Sequence, residues 1–73
     1  MTPTQQRILD YINEHGDVSI GTQGCGAQTA TRLEEMGLVQ FASFVDRRGR
    51  NRQILFPVGT RLEDTPTYKE WHA

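Results

Sequence analysis

The sequence predicts a single small α+β domain in which helices and a β-hairpin share a core. Apolar residues recur with the spacing of an amphipathic helix in residues 3–15 and again in residues 26–36. Residues 39–45 and 53–58 hold partly alternating apolar residues on either side of an arginine-rich segment, which is the pattern of a hairpin. The predicted order is therefore helix, short strand, loop, helix, strand, basic turn, strand and tail.

The chain length sets the scale of the fold, because 73 residues are enough for one domain and too few for two. We expect residues 3–58 to form the core of this domain and residues 59–73 to form a C-terminal extension. Hydrophobic residues make up 36% and charged residues 23%, which suits a folded chain better than a disordered one. A chain of this size buries roughly 60% of the surface that its unfolded form exposes, so dimerisation is a reasonable expectation.

Cysteine content and hydropathy bear on location. One cysteine cannot form an internal disulfide, which fits a reducing compartment. No apolar run approaches about 18 residues, the minimum for a membrane span. No basic start is followed by an apolar stretch, so no secretory signal is predicted. The sequence thus predicts a cytoplasmic protein with no membrane partner.

Charge is divided unevenly along a chain whose net charge is −1. Residues 38–62 hold five arginines and one aspartate, a net charge of +4, whereas the remainder holds three basic and eight acidic residues, a net charge of −5. The total argues against strong nonspecific binding of nucleic acid. Screening at physiological salt acts over about 8 Å, so clustered charges act locally and we expect two faces of opposite sign.

The first helix is expected over residues 3–15. Thr2 or Thr4 can cap its start, and Pro3 is tolerated in its first turn. Gly16 is expected to end the helix, because glycine accepts the left-handed conformation that follows a last helical residue. This helix is interpreted as a scaffold that covers the core.

A short strand and a glycine-rich segment are predicted next. Residues 17–20 suit a strand with Val18 and Ile20 on one face. Residues 21–26 contain three glycines, which weaken any helix, so we expect a loop or one irregular turn. This segment has neither the spacing of a dinucleotide-binding fingerprint nor the Gly-Lys-Ser/Thr ending of a phosphate loop. No cofactor is therefore predicted.

The second helix is expected to combine an apolar face with a polar one. Ala30, Leu33 and Met36 recur every third residue and form the apolar face. Gly37 is expected to end the helix. The residues predicted to point away from the core together are Gln28, Thr31, Arg32 and Glu35.

The hairpin that follows is predicted from its turn chemistry. Phe44 and Val45 break the alternation of the first strand, so we expect a twist or a bulge there. Residues 46–52 form the turn, in which Gly49 and Asn51 are suited to positive φ angles.

The end of the chain offers two structural signals. Pro57 indicates that the return strand either lies at a sheet edge or ends there. A short helix is expected to begin near Pro66. Tyr68 and Trp71 lie three residues apart on it, and we expect them to pack against the first helix or against a second copy. A homodimer through the first helix or through this tail is therefore an open alternative.

Two segments resemble the winged helix-turn-helix domains of small bacterial and phage-type regulators. Thr31-Arg-Leu-Glu-Glu-Met-Gly-Leu-Val39 is similar to the end of their recognition helix. Val45-Asp-Arg-Arg-Gly-Arg-Asn-Arg52 resembles the tip of their wing hairpin. The resemblance covers about residues 3–58. It departs from the family in one place, since the glycine-rich segment stands where a full helix normally precedes the recognition helix.

The resemblance implies a set of residues that contact double-stranded DNA. In the helix, Gln28 would read adenine, and Arg32 would read guanine or hold a phosphate. Thr29 and Thr31 would donate to phosphates. In the wing, arginines would enter the minor groove or clamp phosphates. The wing residues assigned to DNA are Arg47, Arg48, Arg50, Asn51 and Arg52.

Less specific interpretations remain for both pieces. The helix face is also typical of an ordinary packing helix, and a charged tip also keeps a hairpin soluble. Arginine without lysine in the turn favours contact with a planar anion.

Cys25, His15 and His72 follow no zinc spacing and lack a fourth ligand, so no metal site is predicted. No catalytic arrangement stands out, and the chain is not predicted to be an enzyme.

Two functions follow from the sequence. The first is a small sequence-specific DNA-binding transcription regulator, with dimeric binding to a palindromic site as one form of it. The alternative is a protein-binding module, such as a phage-type inhibitor or adaptor, on a winged-helix scaffold. Acidic residues outnumber basic ones outside residues 38–62, and fold alone does not decide between these uses.

Overall fold

The computed structural model describes residues 1–72 and shows a small α+β domain with three α-helices and a three-stranded antiparallel sheet. The predicted α+β class is therefore confirmed. Ala73, the last residue of the predicted extension, lies outside the described residues. In chain order the elements are α1 (Pro3–His15), β1 (Val18–Ser19), α2 (Ala27–Glu35), β2 (Val39–Val45), β3 (Asn51–Pro57), a 3-10 turn (Leu62–Asp64) and α3 (Pro66–Trp71).

Helix α1 has the predicted bounds and is capped at both ends. Thr2, rather than Thr4, is the N-cap, and its side chain accepts a hydrogen bond from the Gln5 amide at 3.1 Å. The Gln5 side chain accepts in return from the Thr2 amide at 3.0 Å, which satisfies two amides that a first turn leaves unpaired. Gly16 ends the helix with a φ of 95°, the left-handed conformation that glycine adopts without strain.

The sheet places β3 in the centre, in the order β1-β3-β2. β2 and β3 pair in an unbroken register from Val39 opposite Pro57 to Val45 opposite Asn51. The prediction of a bulge near Phe44 is therefore wrong. Of the two interpretations of Pro57, the edge position is also wrong, because Pro57 is the last residue of the central strand. At that place its missing N–H leaves the interior of the ladder intact.

The sheet is covered on both faces. The first face packs against α1 and α2, and its buried cluster comprises Ile8, Ile12, Val18, Cys25, Ala30, Leu33, Val39 and Leu55. The second face packs against the C-terminal residues, and its cluster comprises Phe44, Ile54 and Phe56 beneath Leu62, Tyr68 and Trp71. A hairpin covered on two faces carries apolar residues at consecutive positions. The consecutive residues Ile54, Leu55 and Phe56 of β3 show this pattern, since Leu55 lies in the first cluster and the other two lie in the second. At Phe44 and Val45 the alternation is broken for another reason, because Val45 is an exposed apolar residue in a regular strand.

The tail forms the second layer of the domain. α3 begins at Pro66, as predicted, and its aromatic residues pack on the domain's own sheet. The Tyr68 ring meets the Phe44 ring edge-on, with 5.0 Å between the centroids. The expectation that Tyr68 and Trp71 pack on the first helix or on a second copy is therefore corrected. The second face of the sheet offers Phe44, Ile54 and Phe56 to the tail, whereas Ile8 and Ile12 of α1 are already buried in the first cluster.

Two hydrogen bonds anchor the start of α3 to the segment before β1. Asp17 is buried, and its Oδ2 accepts from the Thr67 amide at 2.9 Å. Its Oδ1 accepts from the Thr67 hydroxyl at 2.7 Å. Both carboxylate oxygens are thus satisfied, which a buried charge requires. The anchor fixes the tail to the far side of the sheet from α2.

Candidate nucleic-acid interface

Helix α2 presents a polar face, as its spacing predicted. Ala30 and Leu33 are buried and fix the helix against the first face of the sheet. Gly37 follows the helix with a φ of 75°, so the chain turns directly into β2. The exposed polar side chains on the outer side are Gln28, Thr31, Arg32 and Glu35.

Two surface depressions flank α2 and divide the predicted helix residues between them. The first lies beside the start of α1 and is lined by Thr2, Gln5, Gln28, Thr29 and Arg32. The second lies beside the hairpin and is lined by Ile20, Ala27, Ala30, Thr31, Glu34, Phe41 and Gln53. Arg32 therefore borders the α1 side of the helix, whereas Thr31 borders the hairpin side.

The glycine-rich segment is a chain of turns rather than a helix, in agreement with the sequence prediction. Gly21 and Gly24 have positive φ angles of 90° and 74°, and Gln23 between them has a φ of 55°. The Gly21 amide donates to the Cys25 carbonyl at 2.8 Å, which closes the loop. Arg7 of α1 donates to the Gln23 carbonyl at 2.7 Å and holds the loop against the first helix. α2 thus starts from a fixed position without a preceding helix.

Asp46 organises the arginine-rich turn. Its Oδ1 accepts from the amides of Arg48 at 2.8 Å and Arg50 at 3.0 Å. Its Oδ2 accepts from Nε of Arg52 at 2.9 Å, and none of the side chain is exposed, with a relative accessible area of 0%. The hydrogen bond from Arg52, together with those from the two amides, lowers the pKa of Asp46. The carboxylate therefore stays charged at neutral pH and fixes the backbone of the turn.

The tail contacts three of the four arginines and holds two of them closely. The looser contact is that of Arg48, whose guanidinium carbon lies 5.8 Å from the centroid of the Trp71 ring. Arg52 lies in β3, is half-buried, and has its guanidinium carbon 4.0 Å from the centroid of the Trp71 ring. The Arg47 amide donates to the Trp71 carbonyl at 3.0 Å, and its Nη2 donates to the Glu70 carbonyl at 2.9 Å. The expectation that all four arginines lie on an exposed turn is therefore corrected for Arg52. Its charge is satisfied by Asp46 and by the tryptophan face.

Arg48 and Arg50 remain at the exposed tip of the hairpin. Gly49 between them has a φ of 81°, as its position in the turn predicted. Asn51 is exposed but is the first residue of β3 and has no positive φ, so that part of the turn prediction is wrong. Asp46 uses the backbone amides of Arg48 and Arg50, not their guanidinium groups.

A shallow groove connects the tip to the hairpin side of α2. Its lining residues are Ser19, Ile20, Thr22, Arg50, Asn51, Arg52 and Gln53. Ile20 and Gln53 also line the depression beside Thr31. A continuous surface therefore runs from Thr31 to Arg50, and Arg32 stands on the other flank of the helix.

An apolar feature on this face was missed by the sequence reasoning. Phe41 is 42% exposed and Val45 is 60% exposed. Both lie on the same side of β2 as buried Val39, because they follow it by two and by six residues. Their even spacing from Val39 was the only signal in the sequence, and it would predict that Phe41 and Val45 are buried with Val39. Only the structure shows that Phe41 borders an open depression beside α2, lined also by Ala30 and Thr31, instead of being covered by the helix.

Cys25 is a core residue and not the centre of a reactive site. Its side chain is buried, and this burial raises the pKa of the thiol. Within residues 1–72, no cluster of three or more His, Cys, Asp or Glu side chains is placed to bind a metal ion. None of the helices in that part of the chain combines the length and the apolar character needed to cross a bilayer.

Comparisons of the chain with protein-family models, with curated proteins and with solved structures give no significant match. Its function is therefore inferred from the residues and geometry of this domain.

Proposed function

We propose that the domain is a small winged-helix regulator that binds double-stranded DNA, with α2 as the recognition helix and the β2–β3 turn as the wing. The observation that carries this proposal is the turn itself. Asp46 fixes the backbone of the turn through two amides, and the guanidinium groups of Arg48 and Arg50 are left exposed at its tip. A pre-ordered turn with exposed arginines suits phosphates, because little conformational entropy remains to be lost on binding.

The helix supplies the second part of the proposed interface. Gln28, Thr31 and Arg32 are exposed on the outer side of α2. An amide and a guanidinium form bidentate pairs with adenine and guanine edges, which is the chemistry of direct readout in a major groove. The surface that joins Thr31 to Arg50 links one flank of α2 to the turn, whereas Gln28 and Arg32 border the opposite flank, so the proposed interface extends across the exposed face of the helix.

The tail gives the wing its support in this proposal. Arg47 and Arg52 bind the C-terminal residues, so they act as ties that hold the hairpin rather than as primary DNA contacts. Phosphate binding is assigned first to Arg48 and Arg50. Asn51 lies beside them on the exposed side of the turn and is assigned a supporting role.

Fluorescence anisotropy with duplex DNA at a series of salt concentrations tests the proposal. The double variant Arg48→Ala, Arg50→Ala should bind all sequences more weakly, and the slope of log affinity against log salt should flatten by about 0.9 for each phosphate that the variant no longer neutralises. Arg61→Ala is the matched control, because Arg61 is exposed, distant in sequence from the turn, and paired with Glu63. Equal slopes for the double variant and the parent would remove the wing from the DNA interface.

A second candidate function is favoured by one observation. Phe41 and Val45 are exposed on the face of β2 between α2 and the hairpin tip. Apolar side chains gain nothing against phosphates, whereas they stabilise a protein–protein interface when buried. The alternative proposal is therefore a protein-binding module, whose binding surface is β2.

A pull-down from cell lysate with the domain as bait, carried out with and without nuclease, separates the two candidates. A protein partner retained by the parent after nuclease treatment and released by Phe41→Ser would favour the second candidate. Binding that disappears with nuclease and survives Phe41→Ser would favour DNA.

A further inference from the structure

β2 forms an open edge of the sheet. It pairs with β3 on one side, and within residues 1–72 no strand pairs with its other side. Its sequence, Val-Gln-Phe-Ala-Ser-Phe-Val, contains no charged residue, proline or glycine. Natural edge strands are usually protected by charges, proline or bulges, because an unprotected edge pairs with further strands. This edge has none of those protections.

The hydrogen-bond pattern shows which residues face the open edge. The Asp46 amide donates to the Arg50 carbonyl at 2.9 Å, so these opposite residues form a hydrogen-bonded pair. Counting in steps of two from Asp46 assigns the ladder with β3 to Phe44, Ala42 and Gln40. The intervening residues direct their N–H and C=O groups away from β3, and these are Val39, Phe41, Ser43 and Val45.

A hydrogen bond between β3 and the residue that follows β1 leads to the same assignment of the outward-facing residues. The Ile20 amide donates to the Gln53 carbonyl at 2.9 Å, so the odd-numbered residues of β3 face β1 and the even-numbered ones face β2. Within the described part of the chain, no hydrogen bond outside the ladder involves the backbone of the four outward residues of β2. The edge therefore presents a row of backbone donors and acceptors to solvent.

We propose that this edge pairs with β2 of a second copy, in an antiparallel arrangement whose two-fold axis passes through Ala42. Full overlap of the seven residues places Phe41 opposite the partner's Ser43 and Val39 opposite the partner's Val45. Each of these is an outward-facing pair, so both chains supply the hydrogen bonds that an antiparallel ladder needs. The two three-stranded sheets then form one continuous sheet.

The strand is complementary to itself in this register. The two Ala42 residues meet on the axis at a non-hydrogen-bonded pair, where side chains approach most closely and small residues fit best. No charged residue opposes another along the seven pairs. Each Phe41 lies diagonal to the partner's Phe41, at about 7–8 Å between Cα atoms, which is within reach of aromatic side chains.

Because the strand is complementary to itself, we infer that the partner at the open edge of β2 is a second copy of the chain. The two exposed apolar side chains of β2, Phe41 and Val45, are covered by the same pairing that satisfies the backbone edge. A domain of 73 residues also has a small core, and association adds to the apolar area that it buries. The proposal does not depend on DNA binding, because the pairing forms in the free protein.

Sedimentation equilibrium of the full chain over a range of concentrations tests the pairing. The parent should show concentration-dependent dimer formation. Phe41→Glu and Phe41→Lys should each weaken association by about tenfold or more, because like charges then lie diagonal to one another across the axis. An equimolar mixture of the two variants should dimerise again as a heterodimer. Val58→Glu is the control, because Val58 is as exposed as Val45 but lies outside β2.

A parent that stays monomeric at all concentrations would overturn the proposal. So would a Phe41→Glu variant that dimerises as tightly as the parent, or a folded pair of variants that fails to associate when mixed. Circular dichroism of each variant shows that it is folded before its mass is measured.

Cross-linking tests the register. Ala42→Cys should form an intermolecular disulfide on mild oxidation, because the paired Cα atoms at the axis lie at about 4.5 Å, within the range that a disulfide spans. Ser43→Cys is the control, since its two copies are diagonal and about 7–8 Å apart, beyond that range. The native Cys25 is buried in both variants and does not compete. A dimer that cross-links through Ser43→Cys but not through Ala42→Cys would contradict the two-fold axis at Ala42.

Discussion

The guanidinium carbon of Arg52 lies 4.0 Å from the centroid of the Trp71 ring. The same arginine donates from Nε to Asp46 at 2.9 Å. One side chain therefore joins the tail, the central strand and the turn, and it links the position of the hairpin tip to the packing of α3. An arginine that the sequence analysis assigned to DNA binding thus has a role in stability.

Arg52→Ala should lower the free energy of unfolding. The cation–π interaction with Trp71 contributes about 1 kcal/mol, and its removal also leaves the Asp46 carboxylate without its side-chain partner. Arg50→Ala is the matched control, because Arg50 is exposed and binds Asp46 through its backbone alone, which alanine retains. Urea denaturation should show a lower midpoint for Arg52→Ala and little change for Arg50→Ala. The same midpoint for both variants would show that the interactions of Arg52 do not stabilise the domain.

Acid should destabilise the domain through Asp46. Its pKa is lowered in the folded state, first by the hydrogen bond from Arg52, so the folded protein binds this proton less readily than the unfolded chain does. The contribution is complete above the ordinary value of 3.8 and is lost as the pH falls below it toward the folded pKa. Urea denaturation between about pH 6 and pH 2 should show a steeper loss of stability for the parent than for Asp46→Asn. Parallel pH profiles would contradict this role for Asp46.

The tail should be part of the folded domain. Deleting residues 66–73 uncovers Phe44, Ile54 and Phe56, which form the second core cluster with Tyr68 and Trp71. The deletion should lower the melting temperature, and Tyr68→Ala alone should cost about 1–3 kcal/mol. Replacement of exposed Lys69 by alanine is the control and should change stability by less than about 0.5 kcal/mol. An unchanged melting temperature after the deletion would show that the second layer does not stabilise the sheet.

Gly16→Ala should destabilise the domain for two reasons, a close contact and an unfavourable backbone conformation. Comparison with Gly21→Ala separates them. A Cβ at Gly16 would lie 2.9 Å from Cγ of Pro66, and the φ of 95° is unfavourable for alanine. At Gly21 the φ is 90°, but an added Cβ would meet no atom within 4 Å. Both Gly→Ala variants should lose about 1 kcal/mol through backbone conformation. Thermal denaturation should show an additional loss for Gly16→Ala, and equal losses would indicate that α3 moves away without cost.

The sequence contained enough information for the elements of the first core. The 3.6-residue spacing around Ile8 and Ile12 predicted α1, and Gly16 and Gly37 predicted where helices end. These signals are local, since periodicity and glycine conformation depend on neighbouring residues. The bounds of α1 and the loop at residues 21–26 were therefore predicted correctly.

The second core and the turn were harder to predict, because their causes are not local. Trp71 reaches Arg52 from 19 positions further along the chain, and only the fold shows that α3 crosses the second face of the sheet. The central place of β3 likewise depends on pairing with two residues of β1, a strand too short to give a strong pattern. Asp46 was counted as one negative charge against five arginines, and its role as the acceptor for the turn was missed.

Mapping the surface that we propose to bind duplex DNA is the most direct test of the proposed function. Backbone amide NMR shifts of the labelled domain should be measured during titration with a short duplex at low salt. We expect perturbations at residues 47–51 and on the exposed side of α2, at Gln28, Thr31 and Arg32, with residues 62–64 unaffected. Absence of any perturbation at low salt, where phosphate binding is strongest, would contradict the claim that this domain binds DNA.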